Sequence, residues 1–218
     1  MDNANCDSHK YFSYGETETS YLKKKDKKLS KVIDQVGHIY REVDSDIFSS
    51  VIHHIIGQQI STKAQLTIWK RMQDKLGNVN AETILTCTDN DLQSLGLTFR
   101  KVEYIKDFAQ KVHLGVFDLN AIERMDDNDA IKELTKLKGI GVWTAEMILL
   151  FCLERPDIFS YDDLAIRRGL CMLYHHKSIS SKLFERYRKR FHPYCSVASL
   201  YLWKVSNGVL LEEKGEEK

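Results

Sequence analysis

Proline and cysteine are scarce in this sequence, and neither forms a recognisable pattern. Only two prolines and five cysteines occur in 218 residues, and the cysteines lie scattered at positions 6, 87, 152, 171 and 195. No Cys-x-x-Cys pair is present, so we expect no zinc site, no disulfide framework and no iron–sulfur cluster. Thiols that stay reduced are typical of the cell interior, so we expect an intracellular protein.

The sequence also lacks a long apolar run and a strong net charge. No apolar run reaches the roughly 20 residues that a membrane-spanning helix needs. The first 20 residues are polar and mixed in charge, so we expect no secretory signal. With a formal net charge of only +1, the distribution of charge matters more than its sum. Basic clusters at residues 23–28 and 186–190 are compatible with phosphate contacts, but charge runs of this kind are usually only a solvated surface.

Two-residue alternation, the mark of a half-buried strand, is absent, whereas helical spacing of apolar residues recurs along the chain. The spacing predicts helices that include residues 164–174, 181–191 and 194–207. Asp44 or Ser45 is expected to cap the helix that starts near Ile47, and the first 20 residues are expected to be a poorly structured lead-in. We therefore predict an all-α protein without internal repeats.

Two glycines, Gly139 and Gly141, interrupt the helical pattern in residues 137–147, which read LKGIGVWTAEM. Glycine permits positive φ and a close approach of other groups, so the pattern predicts a tight helical hairpin. The first N–H groups of its second helix can bind an anion, although an ordinary capped hairpin has the same glycines. Two carboxylates, Asp162 and Asp163, follow within FSYDDLAIRRG at residues 159–169. Alone, this pair is typical of a helix N-cap.

Four ordered segments together resemble the helix-hairpin-helix (HhH-GPD) DNA glycosylase superfamily, whose motif joins a Gly/Pro-rich loop to an essential aspartate. They are the two segments above, residues 55–61 (IIGQQIS) and residues 192–203 (HPYCSVASLYLW). The resemblance covers roughly residues 27–208 and is strongest to the 3-methyladenine DNA glycosylase II branch. It implies two helical lobes with an active-site cleft between them. The expected lobes are residues 43–156, and residues 1–42 joined with 157–218, without the N-terminal β-containing domain of some relatives.

The resemblance implies a monofunctional glycosylase of base excision repair, which hydrolyses the N-glycosidic bond of alkylated purines flipped out of duplex DNA. Asp163 matches the essential carboxylate, which would stabilise an oxocarbenium-like sugar. We expect Asp163 to face a groove wide enough for an everted nucleotide, and Asp162 to serve either as a cap or as a supporting neighbour of Asp163. Trp143 occupies the position where lyase relatives place the Schiff-base lysine, so no strand cleavage is expected.

The resemblance also implies roles for other motif residues. The substrate-pocket residues are expected to be Trp143, Trp203, Met147 and Tyr161. The residues expected to contact DNA are Gln59 as a wedge, Ser61, Lys138, Gly139, Gly141 and Val142. Gln58 is expected to bond the backbone at its helix end. No cofactor is required, but a structural Na⁺ or K⁺ ion is expected on the backbone carbonyls of Thr135, Leu137 and Ile140.

Other functions stay open at this point. A bifunctional glycosylase and lyase acting on oxidised bases would share the hairpin and the aspartate, and a non-catalytic DNA-damage-binding protein would share the hairpin. A plain helical interaction protein would show no salt-dependent affinity for DNA. The expected partner is double-stranded DNA with damaged bases, and the protein is expected to be a monomer. Met147 replaces an aromatic residue, and Cys195 an arginine, found in some relatives.

Overall fold

The computed structural model describes residues 11–44 and 46–208. Within these ranges the chain forms thirteen α-helices and one isolated bridge, between Tyr11 and Glu42, so the all-α prediction is confirmed. No helix in these ranges has both the length and the apolar content needed to cross a membrane. The helices are α1 Glu16–Lys25, α2 Lys27–Val36, α3 Ile47–Gly57, α4 Thr62–Leu76, α5 Ala81–Thr86, α6 Asp89–Ser94, α7 Phe99–His113, α8 Leu119–Arg124, α9 Asp127–Leu134, α10 Val142–Phe151, α11 Leu164–Tyr174, α12 Ser181–Phe191 and α13 Cys195–Ser206.

The helices divide between two compact units. Residues up to Val43 and residues from Glu154 onward form one unit, which contains α1, α2 and α11 to α13 and is called the discontinuous unit below. Asp44–Leu153 form the central unit, which contains α3 to α10.

In the discontinuous unit, α2 and α11 to α13 bury their apolar faces against one another. Asp26 starts α2 by accepting hydrogen bonds from the N–H groups of Lys28 and Leu29. Helices α11 and α13 pack so closely that a Cβ added to Gly169 would lie 2.4 Å from the backbone oxygen of Leu202. Only glycine therefore fits at this crossing.

In the central unit, α3, α7 and α10 provide most of the core. The buried apolar residues of α3 and α7 are Ile47, Phe48, Val51, Ile52, Ile55, Ile56, Val102, Ile105, Phe108 and Ala109. Helix α10 is buried along nearly its whole length from Thr144 to Phe151, as its continuous apolar sequence predicts. It packs against α9 and α3, which fixes the second helix of the hairpin relative to the unit's core.

Two sequence-based expectations about helix starts were wrong. Helix α1 already begins at Glu16, within the stretch expected to be a poorly structured lead-in, while residues 1–10 of that stretch lie outside the described residues. Asp46 caps α3 by accepting the N–H of Ser49 at 2.7 Å. Asp44 instead accepts hydrogen bonds inside the unit, and Ser45, the alternative cap, lies outside the described residues.

Candidate active site

Asp163 is the N-cap of α11, and its side chain is fixed by two donors. Its Oδ1 accepts the N–H of Ile166 at 2.8 Å and the indole N–H of Trp203, from α13, at 3.1 Å. Of the two roles expected for Asp162, that of the cap was therefore wrong, because Asp162 is exposed and Asp163 takes this position. The structure thus joins the predicted catalytic carboxylate to one of the predicted pocket aromatics.

The exposure of Asp163 is lower than expected. The residue is only 6% exposed, whereas an open carboxylate at a groove was predicted. The physical reason is its capping role, which directs the carboxylate toward the start of α11 and toward the half-buried indole of Trp203. A carboxylate held in this way is preorganised and shielded from water, and both properties strengthen its effect on a nearby positive charge.

Tyr161 lies two residues before Asp163 and is half-buried. The Arg167 guanidinium lies 5.0 Å from the centre of the Tyr161 ring, and the edge of Phe184 packs against the same ring at 5.2 Å between centroids. The Tyr161 ring therefore contacts both a cation and an aromatic side chain.

The hairpin between α9 and α10 contains two glycines, and only one of them has the positive φ that the sequence predicted. Gly139 adopts a φ of +81°, and a Cβ there would lie 2.3 Å from Cδ2 of Tyr104, so both its conformation and its surroundings require glycine. Gly141 has an ordinary φ of −92° and caps α10 without a side-chain hydrogen bond. The cap itself therefore supplies no acceptor to the first N–H groups of α10.

The first residues of α10 are exposed, and the later ones are buried. Val142 is 49% and Trp143 is 42% exposed, an unusual position for a large aromatic side chain on an otherwise buried helix. Met147 is only 3% exposed and belongs to the core of the central unit. Of the predicted pocket residues on this helix, only Trp143 presents a substantial surface.

Lys138 is engaged by carboxylates of α7. Its Nζ lies 2.9 Å from Oε1 of Glu103 and 3.4 Å from Oδ1 of Asp107. The hydrogen bond to Glu103 and the charge of Asp107 raise the pKa of Lys138. The lysine is therefore firmly cationic, but its charge is partly compensated within the protein.

Gln59 occupies a strained turn after α3. It is exposed and has a φ of +57°, in the left-handed region that residues other than glycine rarely adopt. The backbone N–H of Gln58 donates to the Ile55 carbonyl at the end of α3, at 3.4 Å. The Gln58 side chain was expected to bond the backbone at this helix end, but its amide instead donates to the carbonyl of Gly139 in the hairpin at 2.7 Å. Ser61 is exposed and caps α4 by accepting the N–H of Ala64 at 3.3 Å.

Lys101 is a residue that the sequence analysis missed. Its ammonium group donates to the carbonyls of Ile56 and Gln58, at 2.8 and 2.7 Å, just before Gln59. Burial lowers the pKa of Lys101. A lysine in an amphipathic helix carries no sequence signal for such a contact, because it looks like any solvated lysine.

The carbonyls predicted to hold a cation lie in and just before the hairpin turn. The Leu137 carbonyl accepts the N–H of Ile140 at 3.1 Å, and the side chains of both residues are buried. Thr135 is half-buried and ends α9. Residues 11–44 and 46–208 contain no group of three or more His, Cys, Asp or Glu side chains suited to a metal ion.

The glycine hairpin, the oriented aspartate and the all-α fold are the features that the motif resemblance led us to expect. Residues 52–193 match the profile of the HhH-GPD superfamily base excision DNA repair proteins. The chain belongs to this superfamily, and the resemblance drawn from its motifs is confirmed.

Individual relatives carry consistent names. The chain is 31% identical over 164 residues to DNA-3-methyladenine glycosylase 1 of Schizosaccharomyces pombe, across 73% of this chain and 72% of the relative. The solved structure of a DNA-3-methyladenine glycosidase from Bacillus halodurans has 33% identity and a TM-score of 0.81, covering 93% of this chain and 94% of that one. The structure of the S. pombe 3-methyladenine DNA glycosylase with abasic DNA has 27% identity and a TM-score of 0.76, and the match covers 88% of this chain and 97% of that one.

Proposed function

We propose that this chain is a monofunctional DNA glycosylase of base excision repair. It hydrolyses the N-glycosidic bond of alkylated purines of the 3-methyladenine type after the base has left the duplex stack. The superfamily match and the names of the relatives support this function. The observation that carries the proposal is the carboxylate of Asp163, which two hydrogen bonds hold in one orientation.

Asp163 supplies the negative charge that the reaction needs. As the bond between C1′ and the base nitrogen breaks, the sugar acquires oxocarbenium character, which a fixed carboxylate stabilises. An alkylated purine is already cationic and leaves as a neutral base with the bonding electron pair, so no strong general acid is required. Water then adds to C1′, and its proton passes to Asp163 or to solvent.

Trp143 and Trp203 are the proposed aromatic contacts of the base. An electron-poor, cationic purine is attracted to an indole face by stacking and by cation–π interaction, worth about 1–2 kcal/mol for each desolvated contact. The 42% exposure of Trp143 supports such a role, since core packing would bury the ring. Tyr161 and the buried Met147 are proposed as further pocket residues.

The hairpin is the proposed phosphate site. Backbone N–H groups around Gly139, Gly141 and Val142, at the start of α10, suit a phosphate oxygen because the helix N-terminus carries partial positive charge. Lys138 adds its full charge only when phosphate displaces Glu103 and Asp107.

The turn after α3 is the proposed wedge. Gln59 is exposed and can occupy the gap left by a flipped base, as a polar side chain that still bonds the orphaned partner base. Ser61, exposed two residues later, is the proposed minor-groove contact.

We also propose a monovalent cation, Na⁺ or K⁺, on the carbonyls of Thr135, Leu137 and Ile140. The residues fit such an ion, because backbone oxygens are suitable ligands for a hard cation and the Leu137 oxygen has a second lone pair beyond its bond to Ile140. When bound, the ion would add positive charge near the phosphate site. DNA affinity in K⁺ should then exceed that in tetramethylammonium at equal ionic strength.

The test is base release from duplexes that each carry 3-methyladenine, 7-methylguanine, ethenoadenine, hypoxanthine or 8-oxoguanine, followed by chromatography. The matched variants are Asp163→Asn and Asp162→Asn. Asparagine caps a helix as well as aspartate does, so Asp163→Asn removes the charge and keeps the start of α11. Release of alkylated purines should fall by at least about a hundredfold in Asp163→Asn, with DNA binding retained, whereas Asp162→Asn should keep its activity. Unchanged release of alkylated purines by Asp163→Asn would contradict the proposed role of the Asp163 carboxylate.

The same experiment separates the alternative functions. A non-catalytic damage-binding protein would bind these duplexes and release no base. A glycosylase with lyase activity would form a covalent adduct with abasic DNA in the presence of borohydride, and we expect none because Trp143 replaces the amine. We further propose that the protein is a monomer inside the cell, where its DNA substrate lies; sedimentation tests the monomeric state.

A further inference from the structure

We propose that Lys101 is a positioning residue that sets the direction of Gln59 and so controls how well the protein extrudes a paired base. This inference rests on the proposed function. It concerns the step before bond cleavage, and Lys101 itself contacts neither the base nor the sugar.

Lys101 contacts the backbone at the C-terminal end of α3. The last carbonyl groups of a helix lack intrahelical partners and carry partial negative charge. Helix α3 ends at Gly57, and the Lys101 ammonium donates to the carbonyls of Ile56 and Gln58 on either side of that end. One cation thus satisfies two backbone oxygens immediately before Gln59.

Gln59 has a strained backbone conformation, with a φ of +57°. A residue other than glycine in the left-handed region persists only where its surroundings determine its conformation. Two side-chain amides bond the same segment: Gln58 reaches the Gly139 carbonyl at 2.7 Å, and Gln65 reaches the His53 carbonyl at 2.9 Å. Lys101 is the charged member of this set of donors, and one of its two bonds is to the carbonyl of Gln58, the residue directly before Gln59.

One helix, α7, contacts both the turn that carries Gln59 and the glycine hairpin. The same helix, α7, supplies Lys101 to the end of α3 and the ring of Tyr104 to Gly139 of the hairpin. The Gln58 side chain then joins the turn directly to Gly139. Helix α7 therefore sets the spacing between the proposed wedge and the proposed phosphate site within the central unit.

A positioning role predicts a defect that depends on the state of the target base. Without the ammonium, two carbonyls lose their donor and the Gln59 turn can relax. Extrusion of a base from an intact pair then becomes slower. A base with no partner is already free to leave the stack, so its release should change little.

The experiment uses single-turnover release of a site-specific 7-methylguanine, placed either opposite cytosine or opposite a tetrahydrofuran abasic analogue. Lys101→Met removes the ammonium and keeps the apolar stem. We expect release from the paired duplex to fall about tenfold or more and release opposite the analogue to change less than about twofold. Lys106→Met is the matched control on the same helix, because Lys106 contacts Asp89 and not the Gln59 turn; both of its rates should stay near wild type.

Two further variants separate positioning from general damage. Lys101→Arg keeps the positive charge and N–H donors for both carbonyls, so its release rate on the paired duplex should be much closer to wild type than that of Lys101→Met. The double variant Lys101→Met with Gln59→Ala should match Gln59→Ala alone, because Lys101 acts only through Gln59. Equal losses of Lys101→Met on both duplexes, no loss on either, or additive effects in the double variant would overturn the inference. Failure of the wild-type chain to release 7-methylguanine or any other alkylated purine of the base-release test would instead overturn the proposed function on which it rests.

Discussion

The indole N–H of Trp203 donates to Oδ1 of Asp163, with 3.1 Å between the two heavy atoms. The same oxygen accepts the N–H of Ile166 in the first turn of α11. The Asp163 side chain thus caps α11 and is also the carboxylate proposed to act in base release. The aromatic ring that is proposed to contact the base also orients the carboxylate that is proposed to act on the sugar.

Replacement of Trp203 by phenylalanine tests this hydrogen bond. The Trp203→Phe variant keeps an aromatic ring but removes the donor. A hydrogen bond to a charged group contributes about 1.5–3 kcal/mol, so base release should fall by about ten- to a hundredfold in single-turnover assays. Trp69→Phe, at a half-buried tryptophan in α4, is the matched control and should retain the wild-type rate. Equal losses in both variants would contradict the interpretation.

The two hairpin glycines should respond differently to alanine. Gly139→Ala places a Cβ at a φ of +81° and against the Tyr104 ring, whereas Gly141→Ala meets nothing within 4 Å at an ordinary φ. We expect the free energy of unfolding to fall by about 1–3 kcal/mol in Gly139→Ala and by less than about 0.5 kcal/mol in Gly141→Ala. Urea titration followed by circular dichroism measures both. Similar stabilities of the two variants would show that the hairpin tolerates a side chain at either position.

Gly169 tests the close packing of α11 on α13. Helix propensity alone predicts that Gly169→Ala stabilises the protein by up to about 1 kcal/mol. The added Cβ would lie 2.4 Å from the backbone oxygen of Leu202, so overpacking should instead destabilise it by about 1–3 kcal/mol. The sign of the change in a thermal or urea unfolding experiment distinguishes the two effects, and a gain in stability would refute the close contact.

The Asp44 carboxyl group should make the free energy of unfolding depend on pH. Burial would raise the pKa of Asp44, but hydrogen bonds from His53 and Ser50 outweigh burial and hold the pKa below its ordinary value of 3.8. A carboxyl group with a lowered folded pKa stabilises the protein above its ordinary pKa, and this contribution is lost as the pH falls through 3.8 toward the folded value. Asp44→Asn should therefore lower stability near neutral pH, and its difference from wild type should shrink below about pH 4.

The control for this prediction is Asp74→Asn, which removes an exposed carboxylate paired with Lys70. Exposed ion pairs contribute little, so this variant should stay close to wild type across the pH range. A pH-independent loss in Asp44→Asn would indicate that packing, rather than charge, explains its effect.

The sequence predicted best those helices that have both a clear apolar face and a capping side chain. Helices α11 and α12 lie at Leu164–Tyr174 and Ser181–Phe191, the ranges predicted, because Asp163 and Ser180 cap amphipathic segments. Helix α1 was missed since it is polar nearly all round, and Leu22 is its one buried residue among those described. Its stability comes from packing and from end charges that a periodicity analysis does not detect.

The parts of the candidate site that the sequence could not predict depend on contacts between distant residues. The bonds of Lys101 to Ile56 and Gln58 span 45 and 43 positions, and the bond from Gln58 to Gly139 spans 81. The bond from Trp203 to Asp163, which explains the low exposure of the carboxylate, spans 40 positions. No local pattern encodes such pairs, so motif matching predicted which segments matter but not how their side chains bond.

The discontinuous unit has a consequence for biosynthesis. Helices α1 and α2 pack against α11, α12 and α13, yet eight helices of the central unit separate the two groups along the chain. Domains generally fold as units while the nascent chain emerges, N-terminal segments first. The part of the α2 surface that α11 and α13 cover therefore stays exposed until translation has passed α13, while the inserted central unit can complete its own core on the ribosome beforehand.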